Sequence, residues 1–79
     1  MIEVRVKLTF PEHLVREPIV AKLVRDFNVE PNIRRANVTD HEGWIVCEIG
    51  GQATDLDRAL DWLRDQGLRV DLLGDVVES

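Results

Sequence analysis

Few side chains in this sequence are of the types that perform chemistry, and they are widely spaced. The histidines are His13 and His41, and the lone cysteine is Cys47. Neither histidine has a serine or cysteine at a spacing that predicts a nucleophile and its base. A single cysteine also excludes an internal disulfide and a cysteine-ligated zinc or iron–sulfur site within one chain. We therefore predict that the protein is not an enzyme and uses no metal and no cofactor.

The histidines lie among carboxylates, which also bind metals. One group is Glu12, His13 and Glu17, and the other is Asp40, His41 and Glu42. Both groups fall in predicted loops and lack the i, i+4 helical spacing that makes a metal site recognisable in a sequence. We interpret both histidines as exposed turn residues. The pair Gly50 and Gly51 is not a phosphate-binding loop, because neither nucleotide-binding glycine motif surrounds it.

The charge balance limits the classes of partner. The 79 residues carry 15 acidic and 10 basic side chains, a formal net charge of −5 at pH 7. Such a chain lacks the positive field that binding to nucleic-acid phosphates needs, so we expect no nucleic-acid partner. The sequence shows no signal-peptide pattern and no apolar run near the length of a membrane span, about 18 residues. We expect a cytoplasmic protein without membrane insertion.

Periodicity predicts the first strand and the first helix. Residues 2–10 alternate apolar and charged side chains, which is the period of a half-buried strand. A helix is predicted over residues 18–27, because proline fits the first helical turn and the apolar residues recur at helical spacing. The stripe consists of Ile19, Val20, Leu23, Val24 and Phe27.

The middle of the chain predicts a hairpin. Residues 30–32, Glu-Pro-Asn, are predicted to separate the helix from the next strand, because proline lacks the N–H that a helix needs. Strands are predicted over residues 33–39 and 44–49, which are rich in apolar and β-branched side chains. The turn is predicted at residues 40–43, with Gly43 at a positive φ.

The C-terminal part of the sequence, from residue 50 onward, predicts a loop, a helix and a strand. Residues 50–52 are interpreted as a flexible loop, and Thr54 is predicted to cap the second helix. Gly67 is predicted to end that helix in a left-handed conformation. Its apolar stripe is Leu56, Ala59, Leu60 and Leu63, with Trp62 beside the stripe at the edge of the interface. A last strand is predicted over residues 68–73, with Leu68, Val70 and Leu72 facing inward.

The predicted order βαββαβ indicates an α+β, ferredoxin-like sandwich. Residues 1–74 would form one domain, with a four-stranded antiparallel sheet and both helices on one face, and residues 75–79 a frayed acidic tail. In this topology the first and third strands are central, and Cys47 is expected to be an inert thiol buried under the helices. The second strand would lie at an edge, where its backbone groups are open to pairing with another chain at positions such as Val38.

The uncovered face of the sheet is predicted to carry few aromatic residues. Trp44 and Val46 would share it with Arg5, Lys7 and Glu48. One aromatic side chain on an acidic protein does not make a platform for stacking RNA bases. Trp44 and Val46 could mark a protein contact, or the tryptophan could simply be half-covered by neighbouring arginine side chains.

Four segments together resemble the NIL domain, the module at the C-terminus of the ATPase subunit of bacterial methionine importers. They are VRVKLTF in the first strand, RDFNVEPNIRRANV across the break, GWIVCEI in the third strand, and ALDWLRDQGLRVDLLGDV at the end. The last is the most distinctive, and the resemblance covers essentially the whole chain. Because the sequence contains no phosphate loop, we expect it to act as a stand-alone domain.

The resemblance implies a ligand site. In that family the domain binds methionine between two copies and inhibits the transporter when methionine is plentiful, and the ligand-contacting asparagine matches Asn32. An asparagine amide both donates and accepts hydrogen bonds, which suits the polar end of an amino acid. Ile33 and Ala36 are the candidate apolar contacts.

Two functions remain at this point. The first is a non-catalytic sensing module that forms a homodimer and binds methionine or a related amino acid, with a protein partner in transport or sulfur metabolism. The second is a protein-interaction module without a small ligand, which would use the second-strand edge at Val38 or the patch formed by Trp44 and Val46.

Overall fold

The computed structural model describes residues 1–74 as a four-stranded antiparallel sheet with two helices on one face. The strands are β1 (Ile2–Phe10), β2 (Val29–Val38), β3 (Gly43–Gly51) and β4 (Arg69–Leu72). The helices are α1 (Ile19–Asp26) and α2 (Ala53–Gln66), and a 3₁₀ turn at Glu12–Leu14 follows β1. The predicted fold class is confirmed. The tail predicted over residues 75–79 lies outside the described residues.

The strand order is β2-β3-β1-β4, so β1 and β3 are central and β2 is an edge strand, as predicted. β1 pairs with β3 along its whole length, from Ile2 opposite Gly51 to Phe10 opposite Gly43. Residues that are paired across antiparallel strands point to the same face of the sheet. The register therefore assigns each strand residue either to the helix-covered face or to the open face.

The core fills the space between the sheet and the helices. β1 and β3 contribute Val6, Leu8, Phe10, Ile45, Cys47 and Ile49, and the helices contribute Ile19, Leu23, Leu56, Ala59, Leu60 and Leu63. The predicted stripe of α2 is thus confirmed. In α1, Val24 was expected in the stripe but is 50% exposed, because the short helix buries only its Ile19 and Leu23 side. Trp62 is half-buried and packs at 5.5 Å from the Phe27 ring.

The predicted break at residues 30–32 is wrong. α1 ends at Asp26, and β2 begins at Val29, with Pro31 and Asn32 inside the strand. The rule that disfavours helix before proline also favours extended backbone at Glu30. An edge strand tolerates proline, because its missing N–H can face away from the sheet.

The hairpin turn does not use a glycine at positive φ. Gly43 is the first residue of β3, and the positive-φ glycines of the described residues are Gly67 and Gly74. A threonine side chain holds the turn instead. The Oγ1 atom of Thr39 accepts hydrogen bonds from the backbone N–H groups of His41 at 3.2 Å and Glu42 at 3.1 Å. This is the local side-chain bonding by which threonine stabilises turns.

The glycine pair is not a flexible loop. Gly50 and Gly51 are buried at the end of β3 and are paired on both sides, so the ladder holds them. α2 consequently begins at Ala53 with Gln52 as its N-cap, and Thr54 lies inside the first turn rather than capping it. The predicted C-cap is confirmed, because Gly67 has a φ of 107° and its N–H bonds back to Leu63 and Arg64.

β4 is shorter than predicted, at four residues. Leu68 is buried and Val70 half-buried, but Leu72 is 60% exposed although it lies opposite Val6 on the helix-covered face. Its expected inward burial is wrong, because β4 is the outer strand at that edge and no described element covers its end.

Candidate functional site

The open edge of β2 is the first feature of the candidate site. Among residues 1–74, β3 is its only neighbour within the sheet, so one row of its backbone groups is unpaired there. Every residue from position 32 to position 38 is exposed. Side chains on this stretch therefore contribute little to the core and are available for contacts outside the chain.

A β-bulge interrupts the middle of β2. The register with β3 shifts between Ile33 and Arg35, which leaves Arg34 with no paired residue on β3. A bulge re-aims side chains and strengthens the local twist of the strand. Here the Nη1 atom of Arg34 lies 4.0 Å from Oε1 of Glu48, which is a β3 residue of the open face.

Glu48 is the charged centre of this area. It is paired with Arg5 on one side and with Asn32 on the other. Arg5 donates hydrogen bonds to Oε2 of Glu48 from Nη2 at 2.7 Å and from Nε at 3.3 Å. These bonds, aided by the charge of Arg34, lower the pKa of Glu48 below its usual value. The carboxylate is therefore ionised at neutral pH.

Asn32 lies on the same open face, at the free edge. No hydrogen bond joins its side-chain amide to any other residue in the part of the chain that the structure describes. The amide thus keeps its donors and its acceptor beside an arginine and a carboxylate. We call Asn32, Arg34 and Glu48 the edge cluster. It offers neutral, positive and negative groups, which together match an ammonium and a carboxylate on one small molecule.

The candidate apolar contacts do not converge with Asn32. Ile33 lies opposite Cys47 and Ala36 opposite Ile45, and both of those β3 residues are buried under the helices. The side chains of Ile33 and Ala36 therefore point to the helix-covered side, although both are exposed there. The structure separates the three predicted ligand residues onto two faces.

The candidate partner residues are also divided. Val38 is 56% exposed on the helix-covered side, opposite Gly43, whereas Trp44 and Val46 are half-buried on the open face. The Nζ atom of Lys7 lies 5.2 Å from the centre of the Trp44 ring. Lys7 therefore lies over the tryptophan ring in a cation–π contact.

Sequence reasoning missed Arg34 and Glu48. The alternation of β3 places Glu48 on the open face without a role, and nothing in the sequence pattern gives a role to Arg34. The β2–β3 register and the bulge bring these two residues to Asn32. The alternation of apolar and polar residues predicts neither the register nor the bulge.

The remaining reactive side chains do not join the edge cluster. His41 is exposed, and its Nδ1 atom lies 2.9 Å from Oε2 of Glu12, which ties the hairpin turn to the loop after β1. Cys47 is 2% exposed, and burial raises the pKa of its thiol to about 11. A neutral buried thiol is a poor nucleophile, as expected for this position.

Metal clusters and membrane-spanning helices are both absent from residues 1–74. No group of three or more histidine, cysteine, aspartate or glutamate side chains is placed to hold a metal ion there. Within the same residues no helix has the length and apolar character needed to cross a membrane.

Comparison with known proteins identifies the family. The model of the NIL domain matches residues 4–71. The chain belongs to the NIL domain family. Similar proteins include the methionine import ATP-binding protein MetN 1 of Bacillus cereus, which is 37% identical over 70 residues. MetN of Helicobacter pylori is 37% identical over 68 residues, and MetN of Francisella tularensis is 34% identical over 73 residues.

The matches cover most of this chain but little of those proteins. They include 84%, 81% and 87% of this NIL domain, which spans about a fifth of each relative, 20%, 20% and 21% respectively. Among solved structures, the C-terminal domain of an ABC transporter ATP-binding protein from Enterococcus faecalis has a TM-score of 0.78. That alignment covers 92% of this chain and 86% of the other at 21% identity, so it shows the shared fold.

Proposed function

We propose that this NIL domain is a non-catalytic regulatory module that binds methionine or a closely related amino acid at the β2 edge of a homodimer. The observation that carries the proposal is the edge cluster. The amide of Asn32 has no partner among the described residues, and the cluster carries both charges that complement the ammonium and carboxylate of an amino acid. The family supports the ligand, because the relatives are methionine import ATP-binding proteins.

The regulatory mechanism is differential affinity. A ligand held between two β2 edges binds the paired state more tightly than the separate chains, and that difference shifts the assembly equilibrium. In a transporter subunit, the shift would move the attached ATPase between two arrangements. In this proposal the module acts on the cytoplasmic side, with a transport protein as its partner.

Isothermal titration with L-methionine tests the ligand. We expect saturable heat at millimolar ligand or below, and Asn32→Ala should weaken binding about tenfold, the effect of losing one or two hydrogen bonds to a charged group. Asn37→Ala is the matched control, since Asn37 is also an exposed asparagine of the open face on β2 and lies opposite Trp44. Absence of heat at millimolar methionine, or equal affinities for the two variants, would show the ligand proposal to be wrong.

The second candidate function is pairing with another polypeptide at the β2 edge, without a small ligand. The exposure of Ile33 at 49% and Val38 at 56% along this edge favours it. Val38→Pro should then abolish self-association or partner capture, because proline removes a backbone donor. Asn32→Ala should leave association unchanged. Sedimentation velocity over a range of protein concentrations, with and without methionine, separates the two functions.

A further inference from the structure

The two carboxylate oxygens of Glu48 have different surroundings. Oε2 accepts both hydrogen bonds from the Arg5 guanidinium, at 2.7 and 3.3 Å. Oε1 accepts no hydrogen bond from any residue in the described part of the chain, and the cation paired with it is Arg34, whose Nη1 atom is 4.0 Å away. That distance exceeds the roughly 2.7–3.2 Å of a hydrogen bond. Oε1 therefore remains an available acceptor, on a side chain that Arg5 holds in place.

Arg34 is held more loosely than Arg5. Its contact with Glu48 is its one ion pair within residues 1–74, and its side chain is 57% exposed. The bulge sets Arg34 outside the β2–β3 register, so no cross-strand neighbour fixes its direction. An exposed ion pair of this kind contributes little to stability. The guanidinium can therefore leave Glu48 at small cost and bind another carboxylate, for which its planar fork offers two parallel hydrogen bonds.

An α-amino acid carries its ammonium and its carboxylate on one carbon, so it needs an acceptor and a cation close together. Oε1 of Glu48 and Nη1 of Arg34, 4.0 Å apart, are such a pair. Taking the proposed amino-acid site as given, we propose that Oε1 of Glu48 receives the ligand's ammonium and that Arg34 binds its α-carboxylate. The edge cluster thus selects free, zwitterionic amino acids.

Apolar packing has a smaller part in this selection. Ile33 and Ala36, the candidate apolar contacts, point to the opposite face of β2 from Asn32 and Glu48. Within one chain, the edge cluster therefore recognises the charged groups common to all amino acids rather than one side chain. A molecule that carries only one of the two charged groups should bind weakly, whatever its side chain.

The test uses three ligands that share the methionine side chain. L-Methionine carries both charged groups, methylthiopropylamine lacks the carboxylate, and methylthiobutanoate lacks the ammonium. NMR titration of the protein measures the three affinities. The parent should bind L-methionine at least about tenfold more tightly than either analogue, because each analogue lacks one charged hydrogen-bonding group. This preference tests the proposal without any variant, and equal affinities for the three ligands would overturn it.

Two variants assign the groups. Arg34→Gln should weaken binding of L-methionine and methylthiobutanoate about tenfold and leave the affinity for methylthiopropylamine unchanged. Glu48→Gln should weaken binding of L-methionine and methylthiopropylamine about tenfold and leave the affinity for methylthiobutanoate unchanged. The analogue that each variant still binds with parental affinity also shows that the variant is folded.

The matched controls are Arg35→Gln and Glu30→Gln. Arg35 is the exposed arginine that follows the bulge and lies opposite Val46, and Glu30 is an exposed glutamate of β2 opposite Gly50. Both controls remove the same kind of charge from the same strand without touching the edge cluster. Both should bind all three ligands as the parent does, and a loss in the controls with none in Arg34→Gln and Glu48→Gln would overturn the assignment.

The outcomes separate this assignment from the proposed function. If the parent binds L-methionine but Arg34→Gln and Glu48→Gln keep parental affinity, or lose both analogues alike, the assignment is wrong and the methionine site stands. If L-methionine gives no saturable shifts but L-leucine does, with losses in both variants and in neither control, the assignment holds and methionine is the wrong ligand. Saturable shifts with neither amino acid would overturn both.

Discussion

β2 and β3 are the two strands of one hairpin, of ten and nine residues, but they occupy opposite environments. β3 is paired on both sides, and every second residue from Gly43 to Gly51 is buried. β2 is paired on one side and is exposed from position 32 onward. Packing dictates the residues of β3, whereas β2 is free to carry groups selected for contacts with other molecules. Of the residues in the two proposals, Asn32, Arg34 and Val38 lie on β2, and Glu48 reaches the edge cluster from the open face of β3.

The largest expected effect comes from the same substitution made on each strand. Ile49 is fully buried in β3, and Ile33 is 49% exposed in β2. Ile49→Ala should lower the free energy of unfolding by about 2–5 kcal/mol through lost burial and a residual cavity. Ile33→Ala should cost at most about 0.5 kcal/mol, as surface substitutions do. Urea unfolding of both variants measures the difference, and similar losses would contradict the contrast between the strands.

The same contrast explains which features the sequence predicted. Strict alternation in residues 2–10 predicted both ends of β1 correctly, because one face of that strand is covered by the helices and the other is exposed to solvent. The apolar stripe of α2 and its end at Gly67 were equally readable. In these cases burial selects apolar residue types, and the positive φ at position 67 selects glycine, so the residue type itself reveals the structure.

Boundaries were predicted less well where local preference and pairing disagree. Pro31 and the pair Gly50 and Gly51 have low strand propensity, yet all three are in strands. The sheet ladder overrides the preference at Gly51, and the free edge removes the cost at Pro31. Of the edge cluster, the sequence predicted Asn32 but not Arg34 or Glu48. The bulge brings Arg34 to the cluster and the register between β2 and β3 brings Glu48, and both depend on how the two strands pair rather than on either sequence alone.

The buried environment of β3 also predicts a pH effect. Burial raises the pKa of Cys47 from 9.0 to about 11, so the neutral thiol is favoured in the fold. A raised folded pKa gives stability that is complete below the unfolded value and is lost as the pH rises through the folded value. Between pH 9.0 and about 11 the parent should therefore lose about 2 kcal/mol attributable to this thiol.

Cys47→Ala is the control for that loss. The variant lacks the thiol, so its own decline over the same alkaline range should be smaller than the parent's by about 2 kcal/mol, although it starts from a lower stability. Urea unfolding at several pH values gives both curves. Parallel curves would mean that Cys47 is not buried as described.

Two adjacent glycines sharpen the comparison within β3. A Cβ at Gly51 would lie 3.2 Å from Cγ1 of Val29 and 3.3 Å from the carbonyl oxygen of Asn28, where β2 begins. At Gly50 the nearest atom would be Cγ of Glu3 at 3.6 Å. Gly51→Ala should therefore destabilise by about 1 kcal/mol, because crowding exceeds the entropy gained. Gly50→Ala should be neutral or slightly stabilising in thermal unfolding, and a larger loss at Gly50 would reverse this assignment.

The smallest expected effect on stability is the most informative about function. Asn32→Ala and Asn37→Ala both remove exposed amides from β2, so each should change the free energy of unfolding by less than about 0.5 kcal/mol. If Asn32 serves binding, the two variants differ in stability only when methionine is present. Methionine should then raise the melting temperature of Asn37→Ala and the parent more than that of Asn32→Ala. A stability loss above about 1 kcal/mol in Asn32→Ala without ligand would instead make Asn32 a structural residue. Position 32 of β2 would then stabilise the fold as the buried positions of β3 do, and the edge cluster would contribute to the stability of the sheet.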